Sequence, residues 1–271
     1  MFNVAALEAC LSLLPESRLR LCALFQWPPL DRQPLLKRLV YHRLLLKSRV
    51  LVTYSRESEA YLRALFPQKP VVWLGHFTDT EFFRPGHNRE PSKRFFLCVG
   101  DHKRHEDVIV KVASAAQVPI IRVSADPRVR QYHAVNTSRW VEVRSGISFE
   151  ELRRLYDQAE AVLNVVDDSL WPVGITTFCE ALAMDKVVVT SGHHSCSGYV
   201  FDDGTRPYVT VERSRDVDCW LAAIRCAHDG EVRRTKGRNP RDMAVKYCSF
   251  EAAVETWKGV IRLLNERGED A

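Results

Sequence analysis

Gly174-Ile175-Thr176-Thr177-Phe178-Cys179-Glu180-Ala181-Leu182-Ala183-Met184 is the stretch on which the fold class turns. An apolar run from Ala161 to Val166 precedes it, Val187-Val188-Val189-Thr190 follows, and both read as buried strands. Strand, glycine-bearing loop, short helix and strand make a βαβ unit. A helix start carries backbone N–H groups without intrahelical partners, so this turn suits an anion. Glu180 falls inside the helix, where an acid could reach a sugar hydroxyl beside a bound phosphate. The plainer reading is that Thr176 or Thr177 caps the helix and Glu180 is solvated.

Outward from this unit the alternation continues. Phe95 to Val99 reads as a strand, followed by Gly100-Asp101-His102-Lys103-Arg104-His105 and a helix to about Ala116. Pro119–Ser124 and Trp140–Val143 read as strands. Ser148 opens a helix with Glu151 in capping-box position. Tyr208–Val211 is a late strand, and helices at about 215–228, 231–243 and 250–267 close the chain. Strands alternating with helices imply a doubly wound parallel sheet, complete over residues 94–245. Ligands of such sheets bind at the carboxyl ends of the strands, where the strand order reverses. Lys103 and Arg104 after one strand, facing Gly174–Thr177 after another, would make a diphosphate pocket.

Before residue 94 the pattern is shorter. Residues 4–14 and 17–25 read as apolar or helical segments. Pro34 opens a basic helix to about Ser48, whose leucines pack on a core or lie on an anionic membrane surface. Val50–Ser55 and Val71–Leu74 are strands around a helix from Arg56 to Phe66, and a polar stretch at 84–93 suits a domain boundary. The divisions expected are 1–88, a partial N-terminal α/β domain; 89–248, the ligand-binding domain; and 249–271, a closing helix crossing back to the first.

Composition is that of a globular protein, 46% hydrophobic and 27% charged. Residues 1–86 hold 12 Lys and Arg against 7 Asp and Glu, and the rest holds 27 of each, so the surplus of +5 lies in the first third. That surplus sits among leucines without interleaved aromatics, which argues against nucleic acid. No apolar run of membrane-spanning length and no secretory leader is visible. The eight cysteines form no C-x-x-C pair, which suits a reducing cytoplasm better than disulfides or zinc.

Several stretches in order resemble retaining GT-B glycosyltransferases of the large group called family four. "VVWLGHFTDTEFFRP" (71–85) resembles the linker motif, and "FFLCVGDHKRHEDVIVKVA" (95–113) the first strand and phosphate loop of the donor domain. "VRSGISFEELRRLYDQAEAVLNVV" (143–166), "GITTFCEALAMDKVVVTS" (174–191) and "YVFDDGTRPYVTVE" (199–212) resemble the donor site and its flanks. The resemblance implies a GT-B-like fold, with one complete Rossmann-like domain and a partial N-terminal α/β domain. It also implies a function: moving a sugar from a nucleotide-diphosphate sugar to an acceptor with retention. Lys103, Arg104 and Gly100 would then serve the donor diphosphate, as would Gly174, Ile175, Thr176 and Thr177. Glu180 would hold the ribose, and Gly146 and Ile147, in the loop from Ser145, would line the base.

By the same resemblance no cofactor or metal is needed, because protein cations and a helix start offset the leaving diphosphate. Asp167-Asp168 reads as loop polarity rather than a metal motif. The acceptor is left open among a glycan, a lipid and a small molecule; the place expected is the cytoplasm, with peripheral membrane contact through the basic helix on the membrane-surface reading of its leucines.

There are departures from the family pattern. Pro172 stands where many members have the first acid of a Glu-x7-Glu pair, in keeping with a Gly-x-Thr-Thr variant. Asp185-Lys186-Val187 replaces Gly-Lys-Pro, Phe77 replaces the linker glycine, and residues 1–86 are few for a first domain. His76, in the linker, could face the ligand, but no catalytic residue is assigned. The alternative function is a non-catalytic nucleotide-sugar-binding or interaction domain. A nucleotide-sugar epimerase would need a flanking acid and base, and no such pair is evident.

Overall fold

The computed structural model describes residues 22–25, 30, 33–86, 95–101, 103–167, 173–191, 196–228 and 239–266. The apolar segments at 4–14 and 17–21, most of the polar stretch at 84–93, Asp168, Pro172 and positions 231–238 lie outside them. The chain divides into two units, Met1–Gly75 with Ala253–Ala271, and His76–Ala252.

In the first unit, β1 (Cys22–Phe25), β2 (Val50–Thr53) and β3 (Val71–Trp73) form a parallel sheet in that order, with Cys22 opposite Val50 and Leu51 opposite Val71. Of the segment at 17–25, read as apolar or helical, Cys22–Phe25 is a strand. Helices α1 (Leu35–Lys47) and α2 (Arg56–Leu65) connect the strands. Ser55 starts α2 by accepting from the Ser58 N–H at 3.0 Å, a side-chain cap for an otherwise orphaned donor. The alternation along β2 divides the core. Leu51 packs with Leu30, Leu45, Leu62, Phe66 and Val71, while Val50 and Val52 pack with Leu74 and Val260. Val260 comes from α9 (Phe250–Glu266), whose residues from Ala253 onward belong to this unit.

The second unit holds a six-stranded parallel sheet. Its strands are β4 (Phe96–Val99), β5 (Ile120–Val123), β6 (Val141–Arg144), β7 (Ala161–Asn164), β8 (Val188–Thr190) and β9 (Tyr208–Thr210), ordered β6-β5-β4-β7-β8-β9. Phe96 pairs with Ile120 on one side and Ala161 on the other, so the order reverses between β4 and β7. Covered on both faces, the central strands are apolar runs rather than alternating ones. Phe96, Cys98, Leu163 and Val189 share a core with Val108, Ile109 and Val112 of α3 (Glu106–Ala116) and Trp220 and Ile224 of α7 (Val217–His228). Leu97, Val162 and Val188 are equally buried but outside that cluster, as period two requires of the opposite face.

Two helices add to the sequence reading. No element is read from the sequence between the strands at 119–124 and 140–143, and α4 (Pro127–Val135) forms there, with Asp126 accepting from the Arg128 N–H and Pro127 in the first turn. Of the helix expected at 231–243 only residues from 239 are described, and there α8 (Pro240–Tyr247) begins where Asn239 and Asp242 close a reciprocal capping box and Pro240 fits the first position. The remaining helices are α5 (Phe149–Gln158) and α6 (Ile175–Ala183). No helix among the described residues is long and apolar enough to cross a membrane.

Candidate functional site

The reversal point between β4 and β7 is built by backbone pairing of the loops that leave them. Beyond β7 the chain stays extended, and Val166 bridges Arg104 in antiparallel sense. Lys103 C=O accepts from the Asp167 N–H at 3.1 Å, and Val165 C=O from the His105 N–H at 3.4 Å. The loop after β4 is therefore sewn to the segment that leads into α6. Gly100 begins it at φ +114°, a conformation that favours glycine.

The expected cation pair divides. Lys103 is exposed, with φ +49°. Arg104 turns inward, and its Nη2 and Nε donate to Val99 C=O at 2.8 and 3.2 Å. Burial lowers the Arg104 pKa from its usual value. The Thr177 hydroxyl donates to the same Val99 carbonyl at 3.3 Å, so the end of β4 joins both loops.

Gly174 stands at the N-cap of α6 with φ +78° and no side-chain cap, so neither threonine caps the helix. A Cβ at Gly174 would overlap the Asn164 side-chain amide, which donates to Thr190 Oγ1 at 3.1 Å. Ile175 is buried beneath the turn and Thr176 is exposed. Thr176 Oγ1 lies 3.0 Å from His76 Nε2. The His76 main chain is fixed on both sides, its N–H donating to the Tyr199 hydroxyl at 2.8 Å and its C=O accepting from Cys179 Sγ at 3.5 Å. Burial lowers the His76 pKa from 6.5, which keeps the ring neutral at pH 7. Thr176, in the first turn of α6, is thus exposed and within hydrogen-bond reach of a neutral histidine.

Glu180 is not solvated. It is 7% exposed and accepts from the Tyr156 hydroxyl of α5 at 2.7 Å. Burial raises its pKa from 4.5 to about 7, and the tyrosine hydrogen bond opposes that shift without cancelling it. Because the folded pKa lies above the unfolded one, the native state binds the extra proton between about pH 4.5 and 7. Stability should accordingly fall by up to about 3 kcal/mol as pH rises through that window. Glu180→Gln should flatten the dependence; equal slopes in thermal melts of both proteins would contradict it.

Gly146 (φ +67°) and Ile147 are not brought to this cluster by any described pairing. They follow β6, the edge strand two places from β4. Sequence reasoning missed Tyr156 and Asn164. Tyr156 continues the apolar spacing of Leu152 and Leu155 and reads as core, and Asn164 reads as one polar letter ending a strand. Among the described residues no group of three or more His, Cys, Asp or Glu is placed to hold a metal ion.

No family model matches the chain, and no curated protein resembles it in sequence. Solved structures resemble it in fold. Sucrose-phosphate synthase from Thermosynechococcus elongatus superposes with a TM-score of 0.71 at 20% identity, over 91% of this chain and 68% of that one. A glycosyltransferase from Rickettsia africae gives 0.65 at 12%, over 90% and 70%. Anabaena HepE, solved with UDP and glucose, gives 0.63 at 12%, over 90% and 71%. The chain has the GT-B glycosyltransferase fold. In this GT-B chain the loop bearing Lys103 and Arg104 meets, at the reversal point of the second unit's sheet, the segment of Val166 and Asp167, and the end of β4 is joined to Thr177 of α6.

Proposed function

We propose that this chain binds a nucleotide-diphosphate sugar at the start of α6 and transfers the sugar to an acceptor with retention at the anomeric carbon. The observation that carries the reading is the joining of the β4 and β7 loops at the strand-order reversal, with α6 starting from a glycine N-cap that has no side chain to cap it. The N–H groups of Ile175, Thr176 and Thr177 and the Thr176 hydroxyl take the diphosphate, and Lys103 adds charge from the paired loop. Gly100 lets the phosphates approach the backbone, and Arg104 braces the loop through Val99 C=O and reaches the phosphates on leaving it. Gly146 and Ile147 line the base. The ribose hydroxyls donate to Glu180. The leaving diphosphate's charge is offset by these groups, without a metal or cofactor. The neighbour solved with UDP and glucose supports the choice of ligand class.

Lys103→Ala should weaken nucleotide-sugar binding roughly tenfold to a hundredfold, as for a lost charge-assisted hydrogen bond, and make the residual affinity less salt-sensitive. Titration calorimetry at two salt concentrations checks this; unchanged salt sensitivity would remove Lys103 from the phosphates. Transfer itself is tested by nucleoside-diphosphate release from the bound donor, with the product anomer read by NMR. Retention is expected. Binding with no release would leave a nucleotide-sugar-binding domain, and an inverted anomer would overturn the mechanism.

A further inference from the structure

Between Asp31 and Glu57 the chain has no acidic residue and carries seven Lys and Arg. α1 occupies the middle of this stretch, and its leucines do not all face the core. Leu45 is buried, but Leu35, Leu36, Leu39 and Leu46 are 72%, 75%, 54% and 49% exposed. At about 100° per residue, Leu35, Leu39 and Leu46 fall within roughly 40° of one another on the helix. Arg38 and Arg43 flank them at roughly 40–60° on either side, both exposed. The helix is held from beneath: Leu45 sits in the Leu51–Leu62 core, and Lys69 Nζ donates to Leu46 C=O at 2.6 Å and Ser48 C=O at 2.7 Å. What it presents outward is a ridge of leucines bordered by cations.

We propose that α1 is a membrane-surface contact, its leucine ridge entering the interface of an anionic bilayer while Arg38 and Arg43 meet the lipid phosphates. Charge and shape select this occupant. A ridge of single leucines has no concavity to grip a protein side chain, whereas lipid closes around it without any register. Cations beside the ridge, on a stretch free of acids, attract anionic headgroups and gain nothing from a neutral surface. At 13 residues α1 is about 20 Å long, which suits lying in the interface and is too short to span it. The proposal concerns the first unit and does not depend on the nucleotide-sugar reading.

Co-sedimentation with vesicles of phosphatidylcholine, and of phosphatidylcholine containing phosphatidylglycerol, tests it on the full chain. The protein should partition at least tenfold more onto the anionic vesicles, and salt should release it. Arg38→Glu with Arg43→Glu should reduce that partition by about thirtyfold or more, and Leu35→Ser with Leu39→Ser by at least tenfold. Should either variant fold poorly, the salt dependence of the wild type carries the test. Equal partition onto both vesicles, or variants that bind as the wild type does, would overturn the proposal. So would absence from all vesicles with retention on immobilised polyglutamate, which would assign the ridge to an acidic protein.

Discussion

Gly174→Ala should destabilise the second unit by about 3 kcal/mol and abolish ligand binding at the α6 start. Two costs combine. The residue sits at φ +78°, where a side chain costs about 1–2 kcal/mol, and the new Cβ would overlap the Asn164 amide. Asn164 cannot yield freely, being 1% exposed and hydrogen-bonded to Thr190, so overpacking adds about 1–3 kcal/mol. The thermal midpoint should drop by roughly 6–10 °C. Asn164→Ala in the same chain should recover the overlap cost and leave the backbone cost. A Gly174→Ala protein that melts and binds as the wild type does would show that the turn is not held as described.

A second large effect lies one strand away. Arg122 on β5 is fully buried, donating to Glu106 at 2.7 Å through Nη2 and to Val123 C=O at 2.7 Å through Nη1. Glu106, at the start of α3, also lies 2.9 Å from His133 Nε2 of α4. Glu106→Ala should cost about 3–5 kcal/mol, because it strands a buried guanidinium. Replacing the pair together, Glu106→Leu with Arg122→Met, should recover most of that loss, since a buried ion pair and a packed apolar pair are nearly equivalent in net stability. Denaturant melts of the two variants make the comparison. A Glu106→Ala loss below about 1 kcal/mol would mean that water reaches the guanidinium.

Much of this architecture was legible, for stated physical reasons. The apolar runs at 96–99, 161–163 and 187–189 are continuous because both faces of their sheet are covered, and on β5 the one interruption, Arg122, is buried against Glu106. Gly174 announced a turn, and it takes the left-handed conformation that turn needs. The departure at Asp185 also resolves: it adopts φ +57° where the family pattern has glycine, a conformation aspartate tolerates better than most residues. Lys186 beside it donates to Asp157 C=O and Ala159 C=O at 2.6 and 2.9 Å, closing the end of α5.

What the letters hid was direction. Lys103 and Arg104 are adjacent in sequence, yet one faces solvent and the other folds back on Val99 C=O. Glu180 reads like any helical glutamate until Tyr156, from a helix before the preceding strand, is found against it. α4 was missed because its apolar positions are few, and only Asp126-Pro127 marked its start. The leucines of α1 read from the sequence as core or as membrane surface alike, and only the packed chain shows which four face out.

The central claim, that the α6 start and the loop paired to it hold a nucleotide-diphosphate sugar, is tested most directly by thermal shift with UDP-, GDP- and ADP-sugars. One of the three should raise the midpoint of the wild type. The same ligand should do so much less for Glu180→Ala, which loses a charged hydrogen bond to the ribose worth about 1–3 kcal/mol. No shift with any of the three, or an equal shift in the Glu180→Ala protein, would contradict the placement of the ligand.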